Sequence, residues 1–300
     1  MPDTPPAIAV MPPDVRPRLR PGAVSLDRLR WPLGRPERLA FDGARLADLG
    51  PGDHLIGFPQ NLSLFRPGRG TRAHVSIILA EPEAIHGVLQ NRIARAPTRF
   101  HRVLSYNDDL LARLPNGLFF PYGSTWVPHW RDMDMTKSAM CSLIASAKRS
   151  QPGHRLRHAL ADRVQHERRD VAVMGRGYRP FDSKAEGLAP FRYSLVIENV
   201  RERNCFTEKL IDAVLCQTVP IYWGCPNIAD FMDTSGMILC ETEAELQSAL
   251  QEMTPADYAA RIPGLLAARP VAEAYSDFYL RAARAVAEDQ PVPPAPRARR

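Results

Sequence analysis

The sequence predicts an α/β fold of Rossmann-like type. Three observations carry this: a strand-helix-strand order through the second half, short strand-like apolar runs in the first half, and a chain long enough for two such units. The elements follow in chain order. Residues 1–22 hold Pro2, Pro5, Pro6, Pro12, Pro13, Pro17 and Pro21, which remove amide donors and disfavour both helix and central strand, so a disordered leader is expected. Asp53 to Phe58 offers an early strand. Val75 to Ala80, Arg102 to Ser105 and Leu118 to Pro121 read as further short strands separated by polar or turn-forming stretches, and together define an amino-terminal α/β domain over residues 23–135.

The second domain, residues 136–270, alternates over longer segments. Met140 to Ala147 reads as a strand. Gly153 to Arg168 reads as a helix with Leu156, Leu160 and Val164 on one face, and Val171 to Met174 as the next strand. Tyr193 to Ile197 is a buried strand, Thr207 to Cys216 a helix that packs Leu210, Ile211, Val214 and Leu215 inward, and Val219 to Trp223 the strand after it. Parallel strands need a helical crossover, so this order implies a parallel sheet whose ligand sits where strands end and helices begin. An amphipathic helix over residues 271–288 follows, with Tyr275, Phe278, Tyr279, Ala282 and Val286 on one stripe, and residues 289–300 form a basic tail expected to be disordered.

Composition narrows the function classes. With 45% hydrophobic and 24% charged residues the chain is not disordered throughout. No window holds the roughly 18 apolar residues of a membrane span, and the first twenty residues lack the apolar core of a secretory signal, so a cytoplasmic protein is expected. Cys141, Cys205, Cys216, Cys225 and Cys240 form no CxxC pair, which fits reduced thiols, and no structural metal is expected. The formal charge of +6 lies partly in the termini, at Arg16, Arg18, Arg20, Arg297, Arg299 and Arg300. It calls for no nucleic-acid partner, though a basic tail suits peripheral contact at the inner face of a membrane.

The chemistry-bearing residues cluster after residue 193. Tyr193-Ser-Leu-Val-Ile-Glu-Asn199 puts Glu198 and Asn199 at the carboxyl end of a buried strand, where an open α/β sheet binds its ligand. Thr207-Glu208-Lys209 then opens a helix. Thr207 is a natural N-cap, the first-turn amides and helix dipole present partial positive charge, and Lys209 adds a full one, together a phosphate site. The same string also reads as an ordinary capped helix with a solvated Glu-Lys pair. Thr218-Val-Pro-Ile-Tyr-Trp-Gly-Cys-Pro-Asn227 completes the segment, a strand entered through Pro220 and turned by Pro226-Asn227.

These three strings, in this order and spacing, resemble the carboxyl-terminal domain of family 10 glycosyltransferases, the α-1,3/4-fucosyltransferases. The likeness is dense over about 40 residues and weakens upstream. It implies a GT-B architecture, two Rossmann-like domains facing a cleft, with acceptor bound by the first and GDP-sugar by the second. Ala145-Ser-Ala-Lys-Arg-Ser-Gln-Pro-Gly-His-Arg-Leu-Arg157 resembles the family segment whose helix begins with a phosphate-binding arginine, here Arg157, with Arg155 as the neighbouring alternative. Ser76-Ile-Ile-Leu-Ala-Glu81-Pro82 is similar to the strand and turn carrying the catalytic base, which implies that role for Glu81. The resemblance further implies inverting transfer of fucose from GDP-fucose to a glycan hydroxyl. Arg157, Lys209 and the amides after Thr207 would bear the diphosphate without a metal, Glu208 the ribose, and Glu198 and Asn199 would line the donor. A lipopolysaccharide or capsule precursor is the implied acceptor.

Cys205 stands where the family often has a tyrosine, which leaves GDP-mannose or another GDP-sugar as an alternative donor. A non-catalytic nucleotide-sugar or carbohydrate-binding protein is the alternative from another class. Asp132-Met133-Asp134 has the Asp-x-Asp form that binds metal and diphosphate in GT-A enzymes, but it lacks a clear preceding apolar strand. His154 and His158, spaced i and i+4, could ligate a metal, but no third ligand is apparent and they are expected to face solvent. Gly175-Arg-Gly177-Tyr178 is too short for a dinucleotide fingerprint and reads as a loop that approaches the donor or turns tightly. Trp126, Trp130 and Trp223 are open to stacking on sugars or bases and equally to packing.

Overall fold

A computed structural model of the protein describes residues 5–16, 21–61, 70–168 and 170–288. The chain forms two compact units, each on a five-stranded parallel sheet. The first takes the described residues of 5–121 together with 278–288, and the second takes those of 122–277.

The first sheet comprises β1 (Ile8–Val10), β2 (His54–Gly57), β3 (His74–Leu79), β4 (Val103–Ser105) and β5 (Gly117–Phe119), paired strictly in chain order. α1 (Glu83–Ala94) links β3 to β4, and α2 (Asp108–Leu111) links β4 to β5. Right-handed crossovers that always step the same way fall on one face of the sheet. One core accordingly joins Leu26, Leu46, Leu55, Ile77, Ile93 and Leu110. The helix over Phe278–Ala287 packs against β1 and β2. Its Phe278 ring lies 6.0 Å from that of Phe58 and 5.4 Å from that of Phe120.

The proline-rich leader differs from expectation. Residues 8–10 form β1, in register with β2 from Ile8 opposite His54 to Val10 opposite Ile56, and Ala7 to Met11 are all buried. The reason is the proline-free apolar run between Pro6 and Pro12, which adds an edge strand where the flanking prolines do no harm. Asp53 anchors it: this buried carboxylate accepts the Ala7 N–H at 2.8 Å and the Gly50 N–H at 2.7 Å, and is ion-paired with Arg38. Burial alone would raise its pKa, but Arg38 and the two amides outweigh burial and hold it below the ordinary carboxylate range. Residues 1–4, 17–20 and 289–300, including the expected basic tail, lie outside the described residues.

The second unit runs β6 (Ala139–Ile144), α3 (Pro152–Glu167), β7 (Val171–Met174), β8 (Phe191–Ile197), α4 (Glu208–Leu215), β9 (Val219–Trp223), β10 (Ile238–Leu239), α5 (Glu243–Glu252) and α6 (Pro255–Ser276). Its strand order is β7-β6-β8-β9-β10, which reverses direction between β6 and β8. Leu210, Ile211, Val214 and Leu215 of α4 are essentially inaccessible, as their spacing predicts. On α3 Leu160 and Val164 are buried as their spacing predicts, together with His154, Arg157, His158 and Ala161, while Leu156 is only half-buried.

Two boundaries move. The unit begins at Tyr122 rather than after residue 135, because Thr125 Oγ1 donates to Asp212 of α4 at 2.6 Å and the Trp126 N–H lies 3.1 Å from the same carboxylate. The single terminal helix is two. α6 stops at Ser276, Asp277 has a non-helical ψ of 78°, and α7 (Phe278–Ala287) starts afresh. The apolar stripe therefore divides: Tyr275 packs on Phe206 in the second unit, while Phe278, Ala282 and Val286 are buried in the first. Among the described residues no helix is long and apolar enough to cross a membrane.

Candidate functional site

The reversal between β6 and β8 creates a topological switch point, where loops leaving neighbouring strands part and open a crevice at their carboxyl ends. β8 ends at Ile197, so Glu198 and Asn199 lie at that point. α3 and α4, which follow β6 and β8, bring their amino-terminal turns to it. The first turn of α3 rests directly on the backbone after β8. The Gly153 N–H donates to the Asn199 carbonyl at 2.9 Å, and a Cβ on Gly153 would lie 1.7 Å from the Glu198 carbonyl oxygen. Gly224 closes the other side, where a Cβ would meet the Tyr222 hydroxyl at 2.5 Å and Glu198 Cγ at 2.6 Å.

Within this frame the sequence-predicted residues of the second unit come together. Glu198, 1% exposed, accepts from the Thr207 N–H at 2.8 Å and from Lys209 Nζ at 3.0 Å, and Thr207 Oγ1 lies 2.9 and 2.8 Å from its two oxygens. Thr207 is the N-cap of α4, accepting from the Lys209 N–H at 3.3 Å. Lys209 Nζ is also 3.5 Å from Glu208 Oε1. Burial works against the Lys209 charge, yet Glu198 and Glu208 outweigh it and hold the amine protonated well above the usual lysine range. Glu208 is likewise buried, and burial pushes its pKa up. Lys209 and Lys184 overcome that push and keep it below the ordinary value.

Glu198 is engaged by Thr207 and Lys209, so its carboxylate orients them. At the start of α4 the Thr207 N–H goes to Glu198 and the Lys209 N–H to Thr207 Oγ1. A second cation stands beside this group. Arg157, 5% exposed, donates from Nη2 to Asn199 Oδ1 at 2.6 Å. Its Nε is buried without a hydrogen-bond partner, and among the described residues it makes no ion pair. Burial pulls its pKa down, against the attraction of Glu198 and Glu208 farther off. A guanidinium buried this way is costly unless an anion joins it. Arg155 is exposed and donates to the Ser150 carbonyl, so burial separates it from Arg157.

Other partners were not legible in the sequence. His154 and His158 are buried rather than solvent-facing. His154 Nδ1 accepts from the Gln151 N–H at 3.2 Å while the ring hydrogen-bonds Asn199; burial, then Arg157, Lys148 and Lys209, lower its pKa to about 4. His158 lies 2.8 Å from the Tyr178 hydroxyl and 3.1 Å from the Lys148 carbonyl. Lys184 Nζ reaches Asp212 at 2.8 Å and Glu208 Oε1 at 3.8 Å. It sits in a 3-10 turn with no sequence signal to set it apart.

The remaining candidates have local roles or stand apart. Asp134 of the Asp-x-Asp triplet caps its own turn, accepting from Thr136 N at 2.8 Å and Oγ1 at 2.6 Å, and among the described residues no three ligating side chains converge on a metal site. The Gly175-to-Tyr178 segment is a turn closed by the Tyr178 N–H on the Gly175 carbonyl at 2.9 Å. All five cysteines are buried and free, Cys205 among them. Glu81 belongs to the first unit, half-buried, two residues past the end of the central strand β3 and just before Pro82 at the start of α1.

No family model matches the chain. It is similar to the α-(1,3)-fucosyltransferase FucT of Helicobacter pylori, at 43% identity over 47 residues, which are 16% of this chain and a tenth of the relative's length. A crystal structure of an α1,3-fucosyltransferase with GDP-fucose aligns over 71% of this chain and 70% of that one, at 18% identity and a TM-score of 0.47. S. aureus TarM, solved with fondaparinux, α-GlcNAc-glycerol and UDP, aligns over 79% of this chain and 55% of its own, at 11% identity and a TM-score of 0.52. The last of these likenesses, with the two parallel sheets, shows the fold. The chain is an α/β protein of the GT-B class that carries a local sequence likeness to the α-1,3-fucosyltransferases.

Proposed function

We propose that this protein is an inverting glycosyltransferase that moves fucose from GDP-fucose to a hydroxyl of a glycan acceptor. The observation that carries the reading is Arg157, a buried guanidinium with an unpartnered donor at the switch point, beside the charged amine of Lys209. Breaking a glycosidic bond to a nucleoside diphosphate builds negative charge on the departing phosphates. Fixed cations in a dry crevice stabilise that charge more in the transition state than in the ground state. Arg157 and Lys209 supply it without a divalent metal, Asn199 steers the guanidinium, and Glu208, kept ionised, accepts from the ribose hydroxyls. Glu81 is the base that takes the acceptor proton, supported by its place at the carboxyl end of the central strand of its sheet. Cys205, buried where the resembled family often has a tyrosine, keeps GDP-mannose as the second donor reading.

Calorimetry with GDP and UDP, followed by GDP-release assays with GDP-fucose and GDP-mannose in the presence of EDTA, tests this. GDP is expected to bind in preference to UDP, and Glu81→Gln to keep GDP affinity while losing at least ~100-fold in turnover. Binding of UDP-sugars with none of GDP would sink the reading. So would strict manganese dependence abolished by Asp132→Asn in a folded protein.

A further inference from the structure

The three tryptophans of the second unit are treated differently. Trp130 is buried between the guanidinium groups of Arg131 and Arg269, at 4.1 and 4.6 Å, and Trp223 donates from Nε1 to the Glu241 carbonyl at 3.0 Å. Trp126 is 63% exposed. A large indole left in water is unfavourable by area alone, so a fixed and exposed one invites a partner. The backbone that carries it is fixed. The Trp126 main-chain N–H lies 3.1 and 3.3 Å from the two oxygens of Asp212, a fully buried residue of α4, and Thr125 Oγ1 donates to the same carboxylate while accepting from the Val127 N–H at 3.0 Å. Lys184 Nζ stands 5.2 Å from the ring centroid and belongs at once to Asp212 and Glu208.

Lys184 therefore links the indole to the site. Passing along α4 and its neighbours, one meets the cations Arg157 and Lys209, then the Glu208 carboxylate, then the Trp126 ring. Diphosphate, ribose and base follow one another in the same order along a nucleoside diphosphate. We propose that Trp126 is the stacking platform for the nucleobase of the donor and favours a purine over a pyrimidine, an inference that rests on reading Arg157 and Lys209 as the diphosphate site. A flat π-face held in place stacks on a base without losing further conformational entropy, and the bicyclic purine covers more of it than a pyrimidine does. The Lys184 ammonium beside the ring adds a cation–π contact that holds the indole in its pose.

Titration of the wild type, Trp126→Ala and Trp126→Phe with GDP, UDP and inorganic pyrophosphate by calorimetry separates the possibilities. Trp126→Ala is expected to weaken GDP about tenfold, to narrow the preference for GDP over UDP, and to leave pyrophosphate affinity unchanged; Trp126→Phe is expected to restore most of the loss. Unchanged GDP affinity in Trp126→Ala overturns the platform and leaves the diphosphate reading standing. Equal losses for GDP and pyrophosphate overturn it as well, since the ring would then act on the phosphate site. A wild type that binds neither GDP nor pyrophosphate overturns the diphosphate reading and the platform with it.

Discussion

The two sheets have the same number of strands, all parallel, and differ in the order in which the chain lays them down. In the first, each new strand is added on the same side, so every crossover covers the same face and no two neighbouring loops part. In the second, the chain goes from β6 to β7, then returns past β6 to start β8, and the charged residues gather where it turned back. Two sheets of equal strand number thus yield a scaffold in one case and a cluster of buried charges at the strand ends in the other. A single reversal of strand order supplies the difference, by letting α3 and α4 bring their first turns to one point. The first sheet needs something different, an outside helix for its bare face, and α7 provides it.

That contrast can be broken at the contact on which the crevice depends. Gly153→Ala forces a methyl into the Glu198 carbonyl, and relief requires α3 to move off β8. It is expected to abolish GDP binding in calorimetry and to cost about 3 kcal/mol or more in urea unfolding. Gly52→Ala in the first unit, where an added methyl meets nothing within 4 Å, should leave both measurements unchanged. Near-native GDP affinity in Gly153→Ala would show that the switch point tolerates loosening.

The scaffold side is sharpened by Phe278→Ala. Removing this buried ring from between Phe58 and Phe120 should cost about 3 kcal/mol, seen as a lower urea midpoint, while GDP affinity measured under native conditions stays the same. A parallel loss of GDP affinity would mean that α7 serves the crevice too.

The smallest effect is one of pH. His154 is neutral when folded because its pKa is about 4, against 6.5 for an ordinary histidine. Between those values the unfolded chain takes up a proton that the folded chain refuses, so stability falls as the pH drops from 6.5 towards 4 and this contribution levels off below 4. His154→Gln is expected to flatten that part of the pH profile of the urea midpoint relative to wild type. Superimposable profiles would place the titration elsewhere.

How much of this was legible in the sequence depended on whether a residue's type agreed with its surroundings. β8, α4 and β9 were readable because apolar runs, an N-cap and turn residues all pointed the same way. Arg157 was readable only by resemblance. By pattern α3 buries Leu160 and Val164, and it does, but the burial of His154, Arg157 and His158 was hidden because polar side chains on an inward face look like a solvated stripe. The Ile8–Val10 strand was masked by proline content, although no proline interrupts it. The break at Asp277 was invisible because apolar spacing continues across it from Tyr275 to Phe278. Contacts such as Thr125 to Asp212, 87 positions apart, leave no local trace.

The return of the chain into the first unit also bears on how the protein is made. Residues 122–277 are, in topological terms, an insert between two parts of one domain. A ribosome delivers β1 to β5 well before α7, so the first unit emerges with the face of β1 and β2 uncovered, while the inserted unit is synthesised entire before α7 appears. The amino-terminal unit is then completed only when α7 leaves the exit tunnel. Removal of α7 would therefore injure the part of the protein that was synthesised earlier.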